Sequence, residues 1–127
     1  MAGRVLDAGA FVAIDRNDTA MWRRLALARR EGSRLVTHTG IVGQVWRRPA
    51  RQARLAAALE AVDVRPLTVE LAKAAGILLA ATRTADVHDG ALALLCDPED
   101  VLYTSDVDDL TALLAERGAT RVGIVGI

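Results

Sequence analysis

Short apolar runs alternate along this chain with longer stretches whose apolar positions recur at helical spacing. Arg4-Val5-Leu6 reads as a first strand, and residues 8–14 as a helix carrying Ala10, Phe11, Val12, Ala13 and Ile14. Asp18 suits the N-cap of a second helix through Arg30, which Gly32 stops. Leu35-Val36-Thr37 is a second strand. A helix from Thr39 places Ile41, Val42, Val45 and Trp46 on one face; Pro49 breaks it, and the continuation runs to residue 61. Val62-Asp63-Val64-Arg65 is a third strand, and 69–81 is apolar at helical spacing. Asp86 opens a helix to Cys96, which the turn Asp97-Pro98-Glu99-Asp100 ends. Val101-Leu102-Tyr103-Thr104 is a fourth strand, 108–117 a helix closed by Gly118, and 121–125 a last strand.

Strands that alternate with helices of ten or so residues predict an α/β fold, a parallel sheet of about five strands flanked by helices on both faces. In open sheets of that kind ligands bind beyond the carboxyl ends of the strands, which is where chemistry is to be sought.

Composition narrows the picture. The length, 127 residues, suits one compact domain over 1–127, and 52% hydrophobic residues can fill a core. No apolar run is long enough to span a membrane, and Met-Ala-Gly-Arg-Val-Leu-Asp reaches an acid too early for a secretory leader, so a cytoplasmic protein is expected. The single cysteine, Cys96, lies among apolar residues and reads as core. Sixteen acids balance sixteen bases, which excludes nucleic-acid binding by bulk charge and leaves only a local patch. Lys73 is the lone lysine among those bases; the arginines suit phosphate, or follow codon usage in a GC-rich genome. Phe11, Trp22, Trp46 and Tyr103 are too few for a base-stacking platform.

The acids are placed more tellingly than they are numbered. Asp7 directly follows the first strand, Asp106 follows the fourth in Tyr103-Thr104-Ser105-Asp106, and Asp86 and Asp89 open the helix Ala85-Asp86-Val87-His88-Asp89-Gly90. Asp108 and Asp109 follow close behind. In a parallel sheet Asp7 and Asp106 meet at one edge, and Asp89 can join them. Gathered carboxylates repel one another and raise one another's pKa unless a cation neutralises them, and all-oxygen ligation favours magnesium or manganese. Helix capping explains the same residues: Asp86 with Asp89, and Asp106 with Asp109, have capping-box spacing, and Asp7 can cap the helix that follows it.

Four segments resemble the motifs of PIN-domain ribonucleases, specifically the VapC-like toxins of type II (VapBC) toxin–antitoxin pairs. Val5-Leu6-Asp7-Ala8-Gly9-Ala10-Phe11-Val12-Ala13 is similar to the first motif and Gln44-Val45-Trp46-Arg47 to the second. Thr84-Ala85-Asp86-Val87-His88-Asp89-Gly90-Ala91 resembles the third, and Leu102-Tyr103-Thr104-Ser105-Asp106-Val107-Asp108-Asp109-Leu110 the fourth. The matches run in order over nearly the whole chain. The resemblance implies a PIN-like three-layer sandwich, an acidic pocket for Mg2+ or Mn2+, endonuclease action on RNA such as transfer RNA, a cognate antitoxin and homodimerisation. Carried over by position, Asp7, Asp89 and Asp106 would be metal ligands. Asp86, Asp109, Thr104 and Ser105 would support them. The second motif departs from the family: Gln44 stands where glutamate is usual, keeping a carbonyl ligand and losing a charge. His88, at a usually aliphatic position, reads as a helix-surface residue.

The expected mechanism is hydrolysis of RNA by metal-activated water, with Gln44 orienting the water or a ligand and Arg47, Arg48 and Arg83 holding phosphate; Arg51 and Arg54 read as a solvated face or an antitoxin contact. The alternative is a catalytically degenerate PIN domain that only binds its partner or RNA. A metal-free route through His38, His88 and Lys73 lacks any pattern that brings the histidines together. A receiver-like signalling domain would need a lysine late in the chain, and none follows Lys73. Trp22 and Trp46 default to core, with a partner surface as the other possibility.

Overall fold

A computed structural model describes residues 2–127. Five strands form one all-parallel sheet: β1 (Arg4–Leu6), β2 (Leu35–His38), β3 (Asp63–Arg65), β4 (Val101–Thr104) and β5 (Gly123–Gly126), in the order β3-β2-β1-β4-β5. Between β1 and β2 lie α1 (Ala8–Asp15) and α2 (Thr19–Arg30); between β2 and β3, α3 (Thr39–Val45) and α4 (Ala53–Glu60). Between β3 and β4 come α5 (Val69–Thr82) and α6 (Val87–Leu95), and α7 (Val107–Glu116) precedes β5. The α/β class and the strand-helix alternation are those the apolar pattern predicts.

Element ends depart from that pattern for local reasons. Val62 donates to the Leu59 carbonyl, so it closes α4 instead of starting β3. Val122 likewise donates to Ala119, so β5 begins only at Gly123. Asp106 has the N-cap place of α7, which starts at Val107. Pro49 opens a 3-10 turn, Pro49–Arg51, where its missing N–H costs nothing. Gln52 then ties the break together: its Oε1 accepts from the amides of Arg47 and Arg48, while Nε2 donates to the Val45 carbonyl.

Helix α1 packs on α2, α3 and α4, whereas α5, α6 and α7 pack on one another, giving two helical layers around the sheet. Phe11, Ile14 and Ile41 of the first layer and Leu92, Leu110 and Leu113 of the second are fully buried, as are Val5, Leu6, Val36 and Leu102 of the strands. Each such side chain contributes about 1.5–3 kcal/mol relative to an exposed one. Both tryptophans are partly buried against this core. Cys96 is buried, and burial pushes its thiol up to about 12, so it is an inert core residue.

The strand order positions the site. From β1 the chain steps outward through β2 to β3, then crosses to β4 on the other side of β1 and steps on to β5. Right-handed crossovers running in opposite directions place their helices on opposite faces. The loops leaving β1 and β4 therefore diverge, and a crevice opens between their carboxyl ends. Asp7 and Asp106 stand on its two sides.

Candidate metal centre

Three carboxylates reach this crevice from three separate elements. Asp7 follows β1 as the N-cap of α1, Asp106 follows β4, and Asp89 sits in the first turn of α6. One oxygen of each lies within 4.8 Å of one from each of the others. Asp7 and Asp89 are buried and Asp106 is exposed, so the cluster has a buried floor and a solvent-facing side.

Asp7 is held from both ends. Its backbone amide donates to the Tyr103 carbonyl at 3.0 Å, which registers the end of β1 against β4. Its Oδ1 accepts from the Ala8 amide and its Oδ2 from the Thr104 hydroxyl, each at 2.6 Å. The fully buried Thr104 Oγ1 also accepts from the Asp106 amide at 2.9 Å, so one hydroxyl links two of the acids. Ser105 is exposed and lies over Gly9.

Capping explains only part of the acidic pattern. Asp86 is a cap: its Oδ1 accepts from the His88 amide at 2.9 Å. Asp106 makes no side-chain cap bond although it holds the N-cap place. Asp89, the would-be capping-box partner of Asp86, is 3% exposed and accepts no hydrogen bond among the described residues. Its carboxyl is pushed up to about 8, first by burial and then by Asp7, Asp86, Asp106 and Asp109. Burial, followed by Asp7, Asp109 and Asp86, also raises Asp106.

No arginine, lysine or histidine forms an ion pair with Asp7, Asp89 or Asp106 among the described residues; the five ion pairs lie elsewhere. A buried carboxylate left without a donor or counter-charge is costly unless a ligand supplies one. An all-oxygen set of this span fits a hard divalent cation, Mg2+ or Mn2+, with water completing its shell. Beside it, Ser105, Asp106, Val107, Asp108 and Asp109 line an open hollow of about 220 Å3.

Gln44 is half-buried on α3 and makes no hydrogen bond with the three aspartates among the described residues. Arg47 spends its guanidinium on the Gly43 and Trp46 carbonyls at the end of α3, at 2.7 and 2.9 Å. Arg48 is exposed, as is Arg83, a left-handed residue (φ 59°) closing α5.

The two histidines correct the sequence reading. Their rings stack, with centroids 5.6 Å apart and planes 20° from parallel. His88 is no helix-surface residue: it is half-buried, and its ring packs on Gly40, where an added Cβ would overlap it. Proximity does not revive acid–base cleavage, because His38 is fully buried with both nitrogens engaged. The overlooked signal was Thr37-His38, two polar residues continuing a fully buried strand.

No protein-family model matches this sequence, and no curated protein matches it. Among solved structures, the chain is similar to one in the crystal structure of VapBC2 from Rickettsia felis bound to a DNA fragment from their promoter. The TM-score is 0.68 at 10% identity, over 98% of each chain. That likeness is one of fold.

Proposed function

We propose that this chain is a divalent-metal-dependent endoribonuclease, the PIN-like toxin of a toxin–antitoxin pair, with Asp7, Asp89 and Asp106 as its metal ligands. The observation that carries the reading is the convergence of three aspartates on one crevice, none of them in an ion pair among the described residues. The fold shared with a chain of a VapBC2 assembly supports an antitoxin as partner, and the four motif resemblances support the choice of RNA as substrate and of a second copy of the chain as a further partner.

A divalent cation held by Asp7, Asp89 and Asp106 would supply Lewis acidity toward a phosphate oxygen and a lower pKa for water. The chain's own residues do the rest. Thr104 holds Asp7 by its Oδ2, leaving further lone pairs of that carboxylate for a ligand. Asp89, raised to about 8, holds a proton at neutral pH and would have to give it up to serve as a ligand. Asp106 faces solvent and closes the accessible side, where substrate phosphate arrives. Asp86 caps α6, and Asp109 adds negative charge next to the pair. Arg48 and Arg83, exposed, are the first candidates for holding the RNA backbone; Arg47, tied to α3, comes after them. Gln44 is assigned to orienting water or a ligand.

The test incubates purified, partner-free protein with total cellular RNA and Mg2+, then repeats it with EDTA and with Asp7→Asn. Discrete cleavage lost in both controls supports the proposal; cleavage that survives EDTA overturns it. Gln44, in place of an acid, favours one second reading, a degenerate domain that binds metal and partner without cutting. Metal-dependent thermal stabilisation in a protein that cleaves no RNA would select that reading.

A further inference from the structure

Two consecutive residues at the end of β2 are fully buried and polar, Thr37 and His38. On a strand their side chains leave in opposite directions. Thr37 Oγ1 donates to the carbonyl oxygen of Leu6 at 2.8 Å. His38 Nε2 lies 3.0 Å from the carbonyl oxygen of His88. Leu6 immediately precedes Asp7, and His88 immediately precedes Asp89. The dipeptide therefore touches the peptide group in front of each buried aspartate of the cluster and neither carboxylate itself.

The bond chemistry fixes His38 in one form. A carbonyl oxygen only accepts, so Nε2 carries a hydrogen toward His88. The Gly40 amide only donates, at 3.1 Å, so Nδ1 is bare. These two partners select the neutral Nε2–H tautomer, and burial, which lowers the pKa of His38, keeps it neutral.

A peptide unit is planar, and its carbonyl oxygen shares a rigid plane with the next residue's Cα. Holding the Leu6 oxygen therefore holds the Cα of Asp7, and holding the His88 oxygen holds the Cα of Asp89. The two bonds tie α6 and the end of β1, which belong to distant parts of the chain, to one strand terminus. Side-chain capping at Asp86 fixes the first turn of α6 internally, whereas His38 links the His88 carbonyl to the sheet.

We propose that Thr37 and His38 are positioning residues for the metal-binding cluster, acting through the peptide groups that precede Asp7 and Asp89. The proposal rests on the reading of Asp7, Asp89 and Asp106 as metal ligands. Outer partners of this kind typically change metal affinity by about 10–100-fold when removed.

The two nitrogens of His38 can be separated by substitution. Asparagine keeps an acceptor where Nδ1 stands, so His38→Asn retains the cap on Gly40 but cannot reach His88. Glutamine extends its Nε2 to the histidine Nε2 position, so His38→Gln restores the donor to the His88 carbonyl. Thr37→Val removes the hydroxyl at constant shape, and Thr37→Ser restores it.

The measurement is the Mn2+ dissociation constant of each full-length variant, read from the free-Mn2+ electron paramagnetic resonance signal, beside its melting temperature in EDTA. Positioning predicts affinity weakened about tenfold in His38→Asn and in Thr37→Val, with recovery toward wild type in His38→Gln and Thr37→Ser. Recovery has to track the restored hydrogen bond and not the melting temperature. Wild-type affinity in folded His38→Asn and Thr37→Val overturns the proposal, as does equal weakening in the restoring variants. If His38→Asn does not fold, Thr37→Val against Thr37→Ser decides in the same terms. Wild-type protein that binds no Mn2+ overturns the metal-site reading itself, an outcome distinct from a wild-type site indifferent to these variants.

Discussion

Two buried aspartates sit at opposite edges of the same sheet and are treated in opposite ways. Asp100, at the amino edge before β4, accepts from the Gly3 amide at 2.7 Å, from the Asp97 amide at 2.8 Å and from the Arg34 guanidinium at 2.7 Å. Asp89, at the carboxyl edge, is as deeply buried and accepts no hydrogen bond among the described residues, while other acids crowd it. The first carboxylate is satisfied from within and so serves stability. The second has no internal donor among the described residues and answers its burial by holding a proton, with its pKa raised to about 8, as the proposed metal ligand would before a cation arrives. Burial of charge alone does not tell structure from function; the presence or absence of internal partners does.

The largest expected effect lies at the cluster. Asp7→Asn is expected to abolish metal-dependent RNA cleavage, a loss beyond the roughly 100-fold of outer-shell changes, checked by gel assay with titrated Mg2+. Asp100→Ala should leave Mn2+ affinity unchanged yet cost about 3–5 kcal/mol in urea unfolding, because Arg34 and two amides lose their acceptor. Equal effects of these two substitutions on metal affinity would erase the distinction between the edges.

Asp89→Asn acts on the second of the two aspartates. Its folded-state pKa of about 8 lies above the ordinary 3.8, so the folded chain holds a proton that the unfolded chain has already shed. The stability of the metal-free protein therefore falls as pH rises from about 4 to about 8. Asp89→Asn removes that slope, and melting in EDTA at pH 8 should rise by on the order of 5 °C while Mn2+ binding is lost. In wild type the same proton competes with the cation, so Mn2+ affinity should climb with pH and level off above about 8. The smallest expected effect is that of Gly40→Ala. Its Cβ would overlap the His88 ring and stand 2.9 Å from Cε1 of His38, costing about 1–3 kcal/mol in chemical denaturation.

The fold was legible because apolar periodicity is a local property. Leu35–His38 and Val101–Thr104 are nearly continuous buried runs, and the helices between them repeat at their own period. Strand order was not legible, since β1 pairs with β4 through Val5 and Leu102, residues distant in the chain that no local pattern couples. The site divided along the same line. Asp7 and Asp106 could be brought together because both follow strands, and Asp89 because it opens a helix at that edge. The stacking of His38 on His88 depends on a glycine at residue 40 making room for a ring from α6, and such a contact leaves no periodic trace. Gln52 was hidden in the same way, as a buried amide inside an arginine-rich stretch.

The pairing of β1 with β4 also carries a consequence for biosynthesis. Asp7 and Asp106 lie far apart in the chain, and the strands they follow are neighbours whose pairing must wait until β4 has been made. A nascent chain that has not yet reached β4 therefore lacks both Asp106 and the central strand pair, and the three carboxylates meet only once both are in place.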